Sequence, residues 1–207
     1  MHLEPEHIRS FLSSRSRRRI DDPNLRRAAV LILFYTKDGI LHVLLTKRTS
    51  IVEHHKGQIS FPGGSADEGD SSLIETALRE TTEELGLETS DVQILGLYHD
   101  QWTPTGFSIT PVVGYLPSLP PLQPNRHEVE EIIEIPVSFF LDPANGEVRR
   151  MERAGKTVDV HFYRYGHHEV WGATAAILRS FLGEIAGAGS PLAEGPSAGE
   201  KNPLDIT

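Results

Sequence analysis

The segment Arg79-Glu80-Thr81-Thr82-Glu83-Glu84-Leu85-Gly86, a short polar stretch after Phe61-Pro62-Gly63-Gly64, restricts this chain more than any other. On a helix, Glu80, Glu83 and Glu84 stand at i, i+3 and i+4 and share one face. Three carboxylates that close repel one another unless a cation compensates. A hard divalent ion such as Mg²⁺ or Mn²⁺, which prefers carboxylate oxygens, supplies that compensation. The pattern implies a metal site, and a metal site of this kind implies phosphate chemistry.

The flanking residues agree with a helix. Ser72 and Glu75 read as a capping box at its start, and Gly86 as its C-terminal stop. Ile74, Leu78, Thr81 and Leu85 form the inward stripe, with the three glutamates expected well away from it. Upstream, the apolar run Ala28–Phe34 suits a strand buried on both faces. Lys37-Asp38-Gly39 is a hairpin-type turn and residues 41–46 are the return strand. A polar connection rich in His and Lys then leads to a short strand entering Gly63-Gly64. Downstream, strands are expected at 92–97, 109–116 and 158–165, with Pro117-Ser118-Leu119-Pro120-Pro121 as a loop. Ala175, Leu178, Leu182 and Ile185 mark the packing face of a last helix over 174–185.

Composition narrows the partners. At 207 residues one domain is the default, with chain enough to bury a core. The formal net charge of −9 gives no long-range attraction to nucleic acid, and no nucleic-acid partner is expected. There is no cysteine, so disulfides, thiolate zinc sites and a cysteine nucleophile are excluded together. No apolar run approaches the roughly 20 residues needed to cross a bilayer, so no membrane partner is expected either. Nothing near the N-terminus resembles a signal-peptide core, and a cytoplasmic location is the expectation. Residues 4–19 read as an amphipathic helix with Ile8, Phe11 and Leu12 on its apolar side. Arg15-Ser16-Arg17-Arg18-Arg19 is then its solvated end. The sequence is divided as 1–27 (N-terminal helix and connection), 28–185 (the folded domain) and 186–207 (a tail expected to be disordered, rich in Gly, Ala, Ser and Pro).

Arg79-Glu80-x-x-Glu83-Glu84-x-Gly86-Leu87, preceded by Gly63-Gly64, resembles the signature of the Nudix hydrolases. The resemblance implies an α/β fold, an α/β/α sandwich with a mixed β-sheet, and metal-dependent cleavage of nucleoside diphosphate derivatives. It implies Glu80, Glu83 and Glu84 as metal ligands, with the carbonyl of Gly63 adding an oxygen. Arg79 would orient the carboxylates through charge-assisted hydrogen bonds. The region before the helix carries one residue more than the common pattern. Of Glu68, Asp70 and Ser71, Asp70 is taken as the catalytic acid there, the alternative being a charge favoured by the helix dipole.

Further blocks are similar to the coenzyme A pyrophosphatase branch: Leu44-Leu45-Thr46-Lys47-Arg48, Gly57-Gln58-Ile59-Ser60-Phe61-Pro62-Gly63-Gly64, Thr105-Gly106, residues 110–114 and residues 171–178. The branch implies hydrolysis of coenzyme A or a derivative to 3′,5′-ADP and 4′-phosphopantetheine, with Lys47, Arg48, Gly64 and Phe107 against the substrate. Glu53 departs from it, standing where the branch has an arginine suited to a phosphate. That departure keeps open another nucleoside diphosphate substrate (ADP-ribose, a dinucleotide or a damaged nucleotide) and a nucleotide-binding module without catalysis. His54, His55 and Lys56 are nearby basic groups. Glu128 matches a loop acid of the branch, as general base or further ligand. His99-Asp100 is assigned a packing or surface role, while Trp102 and Trp171 are considered for the pocket, Trp171 rather as packing. His167-His168 falls in a turn with no metal partner at ligand spacing. A homodimer is compatible with the chain, the N-terminal helix being available for packing.

Overall fold

The computed structural model describes residues 3–49, 57–153 and 156–187. Glu53, His54, His55 and Lys56 lie outside the described residues, as does the expected tail from residue 188 onward.

Strand β1 (Arg26–Lys37) is the spine. Its side chains alternate strictly: Leu31, Leu33 and Tyr35 enter one core, Ile32 and Phe34 the other. Burial on both faces explains why the run is continuously apolar. Asp38 (φ 51°) and Gly39 (φ 75°) make the left-handed turn into β2 (Ile40–Arg48). On its other side β1 pairs in parallel with β7 (Phe107–Leu116) over ten registers, from Arg26 opposite Phe107 to Tyr35 opposite Leu116. β5 (Gln93–Leu97) continues the sheet beside β7, and β8 (Val129–Pro136) pairs antiparallel with β2. β3 (Ile59–Ser60), β4 (Gly63–Ser65) and the short β6 (Gln101–Thr103) complete this mixed eight-stranded sheet.

One departure from a regular sheet positions the site. β1 pairs with β2 only from Phe34 to Lys37, whereas Ala28–Val30 pair with β4 along the same edge. The two long strands diverge, and Gly63 and Gly64 fill the opening. Helix α2 (Leu73–Leu85) lies across that opening and closes one core with Ala77 and Leu85. The opposite core is covered by α1 (Pro5–Ser13), α3 (Val137–Leu141) and α4 (Gly172–Ile185). Phe181 of α4 is fully buried there between Phe34 and Tyr98. A three-stranded antiparallel sheet, β9 (Gly146–Arg153), β10 (Lys156–Tyr165) and β11 (His168–Trp171), packs under α4. Trp171 stacks on Phe162, a packing role.

Four expectations need correction. The N-terminal helix ends at Ser13, not residue 19: Ser13 and Ser14 hydroxyls bond back to the carbonyls of Ser10 and Phe11 and end the turn. The arginine run beyond is irregular in structure and engaged, not a solvated helix end. Arg17 pairs with Asp100 and donates to Thr110, Arg15 pairs with Glu184, and the Arg18 amide donates to His99 Nδ1. His99-Asp100 is thus the anchor that straps this segment to the sheet. The capping box is half formed, since the Ser72 hydroxyl accepts from Glu75 N (3.2 Å) but the Glu75 carboxylate takes the Ser71 amide (2.7 Å) instead. Finally, β6, β9 and α3 have no apolar run long enough to announce them, and none was expected.

Candidate active site

Gly63 and Gly64 admit a helix face that no other residues would. Gly63 has φ +147°, and a Cβ there would strike the backbone of Ala29. A Cβ on Gly64 would fall inside the carboxylate of Glu80. Two consecutive glycines therefore seat two glutamates one turn apart: Glu80 against Gly64, and Glu84 with Oε2 3.4 Å from the Gly63 amide.

This overturns the expectation that the three glutamates lie away from the buried stripe. The buried face of α2 is Thr76, Ala77, Thr81, Glu84 and Leu85. Ile74 and Leu78 are only partly buried, and Glu84 is 3% exposed. Only Glu83 faces solvent. The reason is the divergence of β1 and β2, which turns an inward position into a polar slot.

Burial leaves its electrostatic mark. Desolvation pushes the Glu84 carboxyl up to about 8, although Arg48 Nη1 stands 3.6 Å from its Oε1. Desolvation also raises Glu80, against the opposing pull of Arg79. A carboxyl that resists ionisation when bare is one that a divalent cation ionises on binding. The glycine seat, the buried Glu84 and the oxygen-only donors together fit a hard divalent metal, with Glu80, Glu83, Glu84 and the Gly63 carbonyl available to it.

Arg79 organises the cluster. Its Nη1 reaches Glu80 (3.0 Å) and Glu83 (3.2 Å), while Nε and Nη2 clamp Asp70, each at 3.0 Å. Nη2 also donates to the Ser65 carbonyl at 3.1 Å. Asp70 in turn accepts from Thr76 Oγ1 and from the Asp67 amide, and Arg79 above all holds its carboxyl well below the usual range. Asp70, just ahead of the helix, thus folds back onto Arg79.

Glu128 approaches from a different segment. It lies close enough to Glu80 and Glu84 to raise both. Asn125 Nδ2 donates to Glu128 Oε1 (3.1 Å), and the Asn125 amide donates to the Glu84 carbonyl (2.8 Å). Asn125 was missed in the sequence. Its signal is an Asx turn, its Oδ1 accepting from the His127 amide at 3.1 Å.

The substrate-side candidates divide. β2 and β8 pair Lys47 with Glu131 and Arg48 with Val129, so Glu130 is an extra residue in a bulge. Lys47 Nζ bonds Glu130 Oε1 at 2.7 Å, while Arg48 turns toward Glu84. Phe107 stands at the start of the parallel pair with the Arg26 guanidinium 4.1 Å over its ring, and Trp102 is exposed.

Comparison with known proteins agrees with this geometry. The NUDIX domain profile matches residues 25–152. A protein of Photorhabdus laumondii named Nudix hydrolase NudL is 38% identical over 168 residues, covering 81% of this chain and 89% of its own length. The protein of the same name from Pectobacterium atrosepticum is 38% identical over 165 residues, covering 78% and 83%. Among solved structures, a Nudix hydrolase from Alicyclobacillus acidocaldarius superposes with a TM-score of 0.52 at 17% identity, over 82% of this chain and 98% of that one. A C. elegans Ap4A hydrolase does so with a TM-score of 0.52 at 18% identity, over 77% and 98%. At such identities the two structures speak for the fold alone. Profile, relatives and the glycine-seated glutamates converge: this chain belongs to the Nudix hydrolase family, the pyrophosphohydrolases that act on nucleoside diphosphate derivatives with divalent metal.

Proposed function

We propose that the enzyme hydrolyses the pyrophosphate of coenzyme A or a derivative, giving 3′,5′-ADP and 4′-phosphopantetheine, with Mg²⁺ or Mn²⁺ as the metal. The observation that carries the chemistry is the seating of Glu80 and Glu84 on Gly64 and Gly63 beside Arg79. The substrate rests on the blocks at 44–48, 57–64, 105–114 and 171–178, which resemble the coenzyme A branch.

In this reading Glu80, Glu83, Glu84 and the Gly63 carbonyl hold the metal. When bound, it neutralises phosphate oxygens and orients the attacking water. Arg79 fixes the carboxylates, and Asp70 acts by holding Arg79. Glu128, aimed by Asn125, takes the proton from the water as its oxygen joins phosphorus and the bridging oxygen leaves with the other phosphate. Arg48 and Lys47 offer charge to the phosphates, the latter by exchanging its Glu130 partner. The Gly64 backbone and the Phe107 ring, partnered here by Arg26, complete the substrate side. The expected cytoplasmic location and homodimer belong to the same proposal, as does the domain division at residues 27 and 185. Among the described residues no helix is long and apolar enough to cross a membrane.

The test is turnover of coenzyme A, ADP-ribose, NADH and a diadenosine polyphosphate in Mg²⁺ or Mn²⁺, with products separated by chromatography. Conversion of coenzyme A to 3′,5′-ADP in preference to the others is the expected result. Preferred turnover of another dinucleotide overturns the substrate and keeps the chemistry. No turnover of any of them favours the binding module.

A further inference from the structure

Three side chains with no part in the reading above meet where the three-stranded sheet reaches the main one. Glu131 comes from β8, His167 from the turn before β11, and His168 is the first residue of β11. One ligand atom from each lies within 4.8 Å of the other two. Sequence spacing gave the histidine pair no partner, because Glu131 is brought to it only by the packing of the two sheets. Adjacent residues within a strand point to opposite faces. Here Gly166, at φ +60°, turns the chain before β11 begins, and both imidazoles stay on one side with centroids 3.9 Å apart.

We propose that Glu131, His167 and His168 form a second metal site, selective for Zn²⁺ or a similar borderline first-row ion, which fastens the small sheet to the large one. The separation of donors is the first support. Two donors about 2.0–2.2 Å from a tetrahedral zinc stand about 3.3–3.5 Å from each other. His168 Nε2 and Glu131 Oε1 are 3.4 Å apart, longer than a well-formed hydrogen bond. The donor set is the second. Two imidazole nitrogens and one carboxylate oxygen suit zinc, cobalt or nickel, whereas Mg²⁺ and Ca²⁺ prefer oxygen alone. The setting of the ligands is the third. The His168 side chain is 11% exposed, so its ring is held in place beside Glu131. The His167 side is exposed, leaving an approach for the ion and a coordinating water. Lys47 is the opposing charge nearby, and Glu130 at 2.7 Å offsets it.

The site is independent of the glutamate cluster and is tested apart from it. Zn²⁺ is titrated calorimetrically into the full chain with millimolar Mg²⁺ present to occupy the all-oxygen site, alongside thermal melts with and without Zn²⁺. One Zn²⁺ per chain that Mg²⁺ does not displace is expected, with a rise in Tm. Affinity should drop at least about tenfold in His167→Gln/His168→Gln, and the rise in Tm should vanish. Glu131→Gln, at a partly exposed position, is the second variant should the double one misfold, and it should lose affinity with an unchanged metal-free melt. A wild-type chain that takes up no Zn²⁺ under these conditions, Zn²⁺ displaced by Mg²⁺, or variants that bind as the wild type does would each overturn the proposal.

Discussion

Replacing Glu84 by glutamine keeps the shape of the side chain and removes its charge, with opposite effects on stability and on catalysis. Burial lifts the Glu84 carboxyl from an ordinary 4.5 to about 8. Between those values the folded state holds a proton that the unfolded state has lost, so stability falls as pH rises through the interval. At 1.36 kcal/mol per pH unit, about 3.5 units set a ceiling of about 5 kcal/mol on that loss. Entry of water and movement of Arg48, 3.6 Å away, reduce it to about 2–3 kcal/mol. Glutamine loses nothing over the same interval. For a chain of this size that difference corresponds to a Tm roughly 5–10 °C higher for metal-free Glu84→Gln at pH 8.5, and nearly equal Tm values at pH 5. Saturating Mg²⁺ should reverse the order, because only the wild type gains the full binding energy. The assay is thermal denaturation of EDTA-treated proteins at both pH values, repeated with Mg²⁺. Metal-free melts whose difference does not change with pH, or a wild type that gains stability on going to pH 8.5, would refute the reasoning.

Turnover should fall by orders of magnitude in Glu84→Gln, and likewise in Glu83→Gln, whose exposed side chain leaves the fold undisturbed; steady-state rates check both. Gly64→Ala drives a methyl into the Glu80 carboxylate and is expected to cost about 100-fold in turnover with an unchanged circular dichroism spectrum. Arg79→Lys forfeits the two-pronged grip on Asp70; a drop of about 10- to 100-fold and a weaker metal titration are the expected outcome. Arg17→Ala abandons Asp100, whose side chain is 5% exposed, and should cost about 3 kcal/mol in a urea melt while activity per folded molecule stays the same.

The elements that could be read from the chain are those whose signal is local. β1 shows itself because both its faces are buried, and α2 because Ser72 and Gly86 mark its ends with the cap chemistry the structure contains. Which face of α2 is buried was misread for a non-local reason. An apolar stripe assumes a uniform surface beneath it, and here β1 and β2 part under the helix, so the slot takes Glu84 while Ile74 and Leu78 stay at the margin. The arginine run was misread in the same way. Nothing within 15–19 announces that Asp100 waits across the sheet for Arg17. Asn125 and Glu131 belong with these cases, each defined by a partner far along the chain.

The segment that carries Glu128 is tied to α2 at two backbone points, Gln123 N to the Leu85 carbonyl and Asn125 N to that of Glu84, both 2.8 Å. The Gln123 side chain also occupies the space that a Cβ on Gly86 would need, 2.9 Å away. Glu128 is thus tied to the helix through this segment, and its own carbonyl accepts from the Thr49 amide just past β2 at 2.9 Å. The proline-rich stretch at 117–121 precedes the first tie, so a change in its length should leave the distance between Glu128 and Glu84 unaltered. A single residue gained or lost between 123 and 128 should displace Glu128 from Glu80 and Glu84.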